Sequence, residues 1–324
     1  MDKKVLVTGV GGNVGQGILR NIRKTDYPVF IVGCNIENFS AGNHLCDAFY
    51  KVPYAYEEDY ISSILHIVET ENIDLIIPST DFEVYYLSIN SSKFNATIAA
   101  SDEFTTEIYL DKYLTYLHHK EHNIPFAETC LPSEFKGQYK EYIAKPRQGR
   151  GSRGIFINPK ELNQFSDKDY LIQKLLKGQE ITTAFYVTKD NKLHGNITLE
   201  RNLVNGATND CRVVFEYDQQ LVAILEKIIK NSHIKGSANL QSIVTADGDI
   251  IPFEVNCRIS GTNSIRSNFG FEDVKYTLQE YLFNEVPEKP CIIKGLATRI
   301  LIDVIYPNAE TFEDCVHSKN YLLF

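Results

Sequence analysis

The sequence predicts a doubly wound α/β layer followed by two α+β modules, and three observations carry that expectation. The first third alternates short apolar runs with stretches of helical period. From Asp111 the rhythm changes to short strands in pairs. Near residue 247 a tight turn sets a row of polar side chains opposite one another.

Taken in order, Val5–Val7, Val29–Val32 and Leu75–Ile77 read as buried parallel strands. Helices over about Val14–Lys24 and Asp59–Thr70 lie between them. A helix over Asp111–His122 opens the second part. Tyr142–Lys145 is expected to pair with Ile155–Ile157, and Tyr170–Gln173 with Ile181–Val187. Near Tyr217–Asn231 an amphipathic helix carries Leu221, Leu225, Ile228 and Ile229 on one stripe. Strands at Gly236–Val244 and Ile250–Asn256 follow. The expected modules are 1–110, 111–178 and 179–324, with no low-complexity linker between them.

Bulk properties narrow the function. With 324 residues, 43% apolar and 23% charged, the chain is an ordinary multi-domain globular protein. A net charge of −9 argues against nucleic acid as a partner. Seven cysteines without a Cys-x-x-Cys pair speak against a disulfide frame and structural zinc. No apolar run reaches the roughly 20 residues of a membrane span, and the N-terminus forms no signal-peptide core. A cytoplasmic protein is expected.

Thr8-Gly9-Val10-Gly11-Gly12-Asn13-Val14-Gly15 sits between a strand and a helix, where glycines can cradle phosphates. An NAD(P)-dependent reductase or epimerase is one reading, with Tyr116 and Lys120 in Tyr-x-x-x-Lys spacing. Against it, the second strand ends Gly33-Cys34-Asn35, without the acid that holds a ribose. The plain alternative is a tight turn that only packs.

Asp247-Gly248 is a two-residue hairpin signal. Counting outward from it sets Gln241 opposite Glu254, and Glu254, Asn256 and Arg258 alternate along their strand. Three side-chain oxygens with one formal carboxylate suit magnesium that takes its other ligands from water and phosphates. A solvated polar hairpin face is the plain alternative. Upstream, Tyr142-Ile143-Ala144-Lys145-Pro146 is followed by Gly149, Gly151, Ser152 and Gly154. A glycine-rich loop between antiparallel strands can close its N–H groups over phosphates, with Lys145 as a point charge.

Gly236-Ser237-Ala238-Asn239-Leu240-Gln241 with Glu254-Val255-Asn256-Cys257-Arg258 resembles the ATP-grasp superfamily, most nearly its carbamoyl-phosphate synthase large-chain branch. The resemblance implies a Rossmann-like pre-ATP-grasp sheet followed by a two-module ATP-grasp fold, the first module carrying the glycine lid and the second the metal site. It implies that Gln241, Glu254 and Asn256 hold magnesium (or manganese) on ATP. Arg258, and with it Arg266, would face the activated carboxyl group. Gln173-Lys174-Leu175-Leu176 resembles the hinge at the adenine edge, Glu180 the ribose acceptor, and Lys112 a phosphate contact. The implied activity is ligation of a small carboxylate to an amine through an acyl phosphate, with a homodimer as one possible state. A non-catalytic ATP-binding regulator is the third reading. Asp81 and Glu83, at a strand's C-terminal end, are expected either to line the acceptor side or to cap a helix.

Overall fold

The computed structural model describes residues 3–149 and 153–324. Strands β1 (Lys3–Val7), β2 (Val29–Asn35), β3 (Ala48–Lys51), β4 (Leu75–Ile77) and β5 (Thr97–Ile98) form a parallel sheet in the order β3-β2-β1-β4-β5. Helices α1 (Asn13–Lys24), α2 (Tyr60–Glu71) and α3 (Asp81–Ile89) connect them. Val5, Leu6 and Val7 have no exposed surface, because this sheet is covered on both faces. Its strands end where α1 and α3 begin. Thr80 caps α3 by accepting from the Glu83 N–H at 3.3 Å, while Glu83 closes a capping box by accepting from the Thr80 N–H at 2.9 Å. Glu83 is therefore a cap, and Asp81 is left facing the rest of the molecule.

Helices α4 (Glu103–Leu110) and α5 (Lys112–Glu121) lead to a small antiparallel sheet of β6 (Thr129–Cys130), β7 (Tyr142–Pro146), β8 (Phe156–Ile157) and β9 (Tyr170–Lys174), in the order β6-β9-β7-β8. A six-stranded sheet follows, built from β10 (Gln179–Val187), β11 (Leu193–Val204), β12 (Ala207–Val214), β13 (Gly236–Val244), β14 (Ile250–Asn256) and β15 (Leu296–Thr298), in the order β14-β13-β10-β11-β12-β15. Helix α6 (Asp218–Asn231) lays Leu221, Leu225, Ile228 and Ile229 on this sheet beside Ile181, Phe185 and Leu240. The short helices α7 (Asn263–Arg266) and α8 (Asp273–Thr277) tie it to the first sheet: Asn21 of α1 donates to the Asn263 carbonyl, and Asn263 donates to Val14 O. A two-stranded pair, β16 (Val304–Ile305) with β17 (Leu322–Leu323), closes the described chain. No described helix is long and apolar enough to cross a membrane.

Two expectations need correction, and one hairpin adds to them. Tyr170–Gln173 does not pair with Ile181–Val187: β9 lies between β6 and β7, while β10 lies between β11 and β13. The hairpin turn has three residues rather than two, because Thr245 pairs with Asp249 and Gly248 takes φ +85°. That shifts the register by one residue, so Ser242 faces Pro252. A bulge at Phe253 then restores the expected pairing of Gln241 with Glu254. Finally, the β11–β12 hairpin was not read at all. Its loop is Asn205-Gly206, both residues at positive φ.

Candidate active site

The site forms where the small sheet leans over β13 and β14. Lys145, at the end of β7, is buried, and its Nζ donates to Gln173 Oε1 at 2.9 Å and to Phe253 O at 3.3 Å. The second acceptor exists because the bulge turns the Phe253 carbonyl out of the ladder. Burial pulls the Lys145 ammonium down to about 7; Glu254 opposes the fall and Lys112 adds to it. The Gln173 side chain, sequestered between Lys145 and Thr129, does not reach into the cleft. It positions the lysine instead.

Lys112 is placed by its neighbour. Asp111 caps α5 by accepting from the N–H groups of Tyr113 and Leu114, and pairs with Arg147 through two nitrogens. Lys112 Nζ then lies 3.8 Å from Glu254 Oε1 and 3.4 Å from Gly149 O. Burial raises the Glu254 carboxyl, but Lys112, Lys145, the Asn256 amide and Arg258 together hold it below the usual carboxylate range.

Along the hairpin the three expected oxygen ligands form one ladder. Gln241 Nε2 donates to Asn256 Oδ1 at 3.3 Å, and Asn256 Nδ2 to Glu254 Oε1 at 3.1 Å. Arg201, on the unread β11, completes it by donating to Gln241 Oε1 at 2.8 Å and Glu180 Oε1 at 2.6 Å. Arg201 thus bridges the expected ribose acceptor and the expected metal ligand. The Asn205-Gly206 turn signal could have exposed this strand and its inward-facing arginine. One carboxylate and two side-chain amides joined by hydrogen bonds supply oxygens that fit a hard divalent cation keeping water and phosphate ligands.

The hinge behaves as a strand end. The Lys174 side chain points to Glu128 at 3.1 Å, and the Leu175 N–H donates to Glu141 O. The Leu176 N–H donates to no group among the described residues, which leaves it open for a ligand edge. Gly149 and Gly154 flank Pro146, Gly154 at φ +71°. Gly151 and Ser152 lie outside the described residues.

Arg258 projects into a cleft of about 440 Å³ and donates to Asp81 Oδ2 at 2.7 Å. Burial disfavours its charge, yet Asp81 more than restores it, and its pKa stands above the ordinary guanidinium value. Arg266 departs from expectation. It is wholly buried, with Nε and Nη2 on Asp273 and Nη1 on Ser260 and Thr262, so it cannot face a substrate. Tyr116 and Lys120 lie against each other on α5, with Lys120 Nζ 5.6 Å from the Tyr116 ring, and neither lines the crevice over Gly9–Gly12. The dinucleotide-reductase reading loses its acid–base pair.

Residues 109–262 match the ATP-grasp domain family, and residues 5–99 match the PylC-like N-terminal domain family. Residues 109–262, just under half of the chain, thus form an ATP-grasp domain. Similar solved structures include N5-carboxyaminoimidazole synthetase from Staphylococcus aureus complexed with ADP, with TM-score 0.76, 13% identity, and coverage of 93% of this chain and 83% of that one. The biotin carboxylase domain dimer of Hydrogenobacter thermophilus 2-oxoglutarate carboxylase, with MgADP and bicarbonate, gives TM-score 0.70 and 16% identity, covering 91% and 73%. L-amino acid ligase from Bacillus licheniformis gives 0.68 and 13%, covering 87% and 74%. At these identities the likeness is one of fold. No curated protein matches the sequence.

Proposed function

We propose that this chain is an ADP-forming ligase that uses ATP and magnesium to activate a small carboxylate for attack by an amine. One observation carries the reading: Lys112, Lys145, Glu180, Gln241 and Glu254 line a single cavity together with Gly149. Two ammonium groups and a one-carboxylate oxygen set in one place match what a triphosphate with its cation needs. Within this reading residues 1–110 carry the acceptor side, 111–178 the lid module and 179–324 the catalytic sheet. The protein acts in the cytoplasm, and a homodimer is its proposed assembly.

Gln241, Glu254 and Asn256 would hold the magnesium, which when bound neutralises charge on the transferred phosphoryl group. Lys145 and Lys112 place positive charge on the phosphate oxygens from two sides, and Glu180 accepts from the ribose hydroxyls. The Leu176 N–H and the Lys174 carbonyl meet the adenine edge. A carboxylate oxygen attacks the γ-phosphorus, the bond to ADP breaks, and an acyl phosphate forms. Arg258 holds its carboxyl end while the amine nitrogen attacks the acyl carbon, phosphate leaves and the amine proton is lost. The lid excludes water from the labile intermediate.

Phosphate release with MgATP across amino acids and small carboxylic acids, alone and in pairs, tests the reading. Release that needs one acid and one amine, with one ADP per product, supports it. MgATP binding without substrate-dependent release would leave a regulator in its place.

A further inference from the structure

Asn239 lies two residues before Gln241 on β13, is 1% exposed, and lines the cleft that Arg258 enters. Its Oδ1 accepts from Thr182 Oγ1 at 2.9 Å and from Ser260 Oγ at 3.1 Å. Its Nδ2 has no partner among the described residues. The side chain is almost wholly buried but its nitrogen reaches the cleft, so the amide offers N–H donors there to a ligand or to water.

The orientation of that amide is dictated from below. Arg266 Nη1 donates to Ser260 Oγ at 2.7 Å and to Thr262 Oγ1 at 2.8 Å. That takes one lone pair of Ser260, and for its hydrogen Asn239 Oδ1 at 3.1 Å is a nearer acceptor than Thr262 Oγ1 at 3.5 Å. Turning the amide over would remove that acceptor and leave the Ser260 hydrogen only the longer contact to Thr262. Arg266 is itself clamped on Asp273, both groups at 0% exposure, and Ser237 donates to the same carboxylate. The line Asp273–Arg266–Ser260–Asn239 therefore runs from the core to the cleft and leaves the amide nitrogen at the cleft.

Resting on the ligase reading, we infer that Asn239 donates to a carboxyl oxygen of the substrate. Arg266, Ser260 and Asp273 are positioning residues that fix its amide. Arg258, two residues beyond the Asn256 that Asn239 pairs with, takes the same carboxyl from the neighbouring strand. The ligand class is an oxyanion: a carboxylate before phosphoryl transfer, the carbonyl oxygen of an acyl phosphate after it. This gives Arg266 a part in the reaction that it plays without touching substrate.

Phosphonoacetate, which carries a carboxylate and a phosphoryl-like group, is the probe, titrated calorimetrically into the full chain loaded with MgADP. Asn239→Ala should weaken phosphonoacetate by about 10-fold or more, the worth of a hydrogen bond to a charged group. Asn239→Asp, though isosteric, should weaken it further, because a donor becomes a repelling anion. Ser260→Ala should weaken it as well, with MgADP affinity held, and Ser260→Thr should restore it. A packing role predicts the reverse order, with the isosteric aspartate milder than alanine. That order, equal affinities in all variants, or no binding to the unaltered chain overturns the assignment. Failure of MgADP itself to bind would instead remove the ligase reading beneath it.

Discussion

Arg258, two residues past β14, and Asp81 at the first turn of α3 form an ion pair of 2.7 Å, each about one-seventh exposed, with side-chain values of 14% and 15%. The pair joins α3, beside the parallel sheet, to the segment after β14, so the parallel-sheet part anchors the arginine that the proposed reaction would use. Removing one partner leaves a largely buried charge without its counterion. Asp81→Asn should lower the melting temperature modestly, by an amount equivalent to about 1–3 kcal/mol. It should lower kcat more than MgATP affinity. A variant with unchanged turnover would show that Arg258 needs no anchor.

Lys145 predicts a pH dependence. Its ammonium sits near 7 because it is buried, so in the free protein it loses its proton as pH rises through neutrality. Bound phosphates favour the protonated form. MgATP affinity should therefore be greatest at and below pH 7 and fall above it, by up to about tenfold per pH unit until the pKa of the complex is reached. Calorimetry in two buffers of different ionisation heat should register proton uptake on binding near pH 8. Lys145→Met should bind weakly at every pH with the slope gone.

Arg201 bridges Glu180 and Gln241, which in the proposed reaction serve ribose and metal. Arg201→Ala should free both side chains from their fixed rotamers and weaken MgADP by about tenfold. Arg201→Lys should recover little, since one ammonium cannot reproduce the forked geometry. Equal affinity of all three proteins for MgADP would contradict this placement.

The Arg266–Asp273 pair is the deepest charge pair in the described chain. Asp273→Ala should destabilise the protein by about 3–5 kcal/mol, because the guanidinium keeps its burial and loses its partner. Thermal melts check this. A change under about 1 kcal/mol would indicate that the guanidinium finds water or another acceptor.

The legible parts of the fold were those written in local pattern. Leu75–Ile77, Gly236–Val244 and Ile250–Asn256 lie where periodicity and turn chemistry put them. Gln241 and Glu254 do face each other, although by two compensating irregularities: a longer turn shifts the register one way and the Phe253 bulge shifts it back. Bulges follow from tertiary demand, here the Lys145 ammonium on the Phe253 carbonyl, and counting from a turn does not foresee them. Strand partners were the weakest inference, since β9 and β10 are adjacent in sequence yet belong to different sheets. Arg201 was missed for want of its hairpin, although Asn205-Gly206 announced it. Arg266 was misplaced because a charged residue near a motif invites a role in the cleft, and nothing local reveals that Asp273, seven residues on, will bury it.

The central claim is that the ladder of Gln241, Asn256 and Glu254 grips the cation of a nucleotide held by Lys145. The most direct test is steady-state phosphate release by Glu254→Ala, with MgATP affinity measured in parallel. Turnover should fall at least about 100-fold and MgATP affinity should weaken, while the fold, followed by circular dichroism, stays intact. Unaltered turnover and affinity in a folded Glu254→Ala protein would contradict the account.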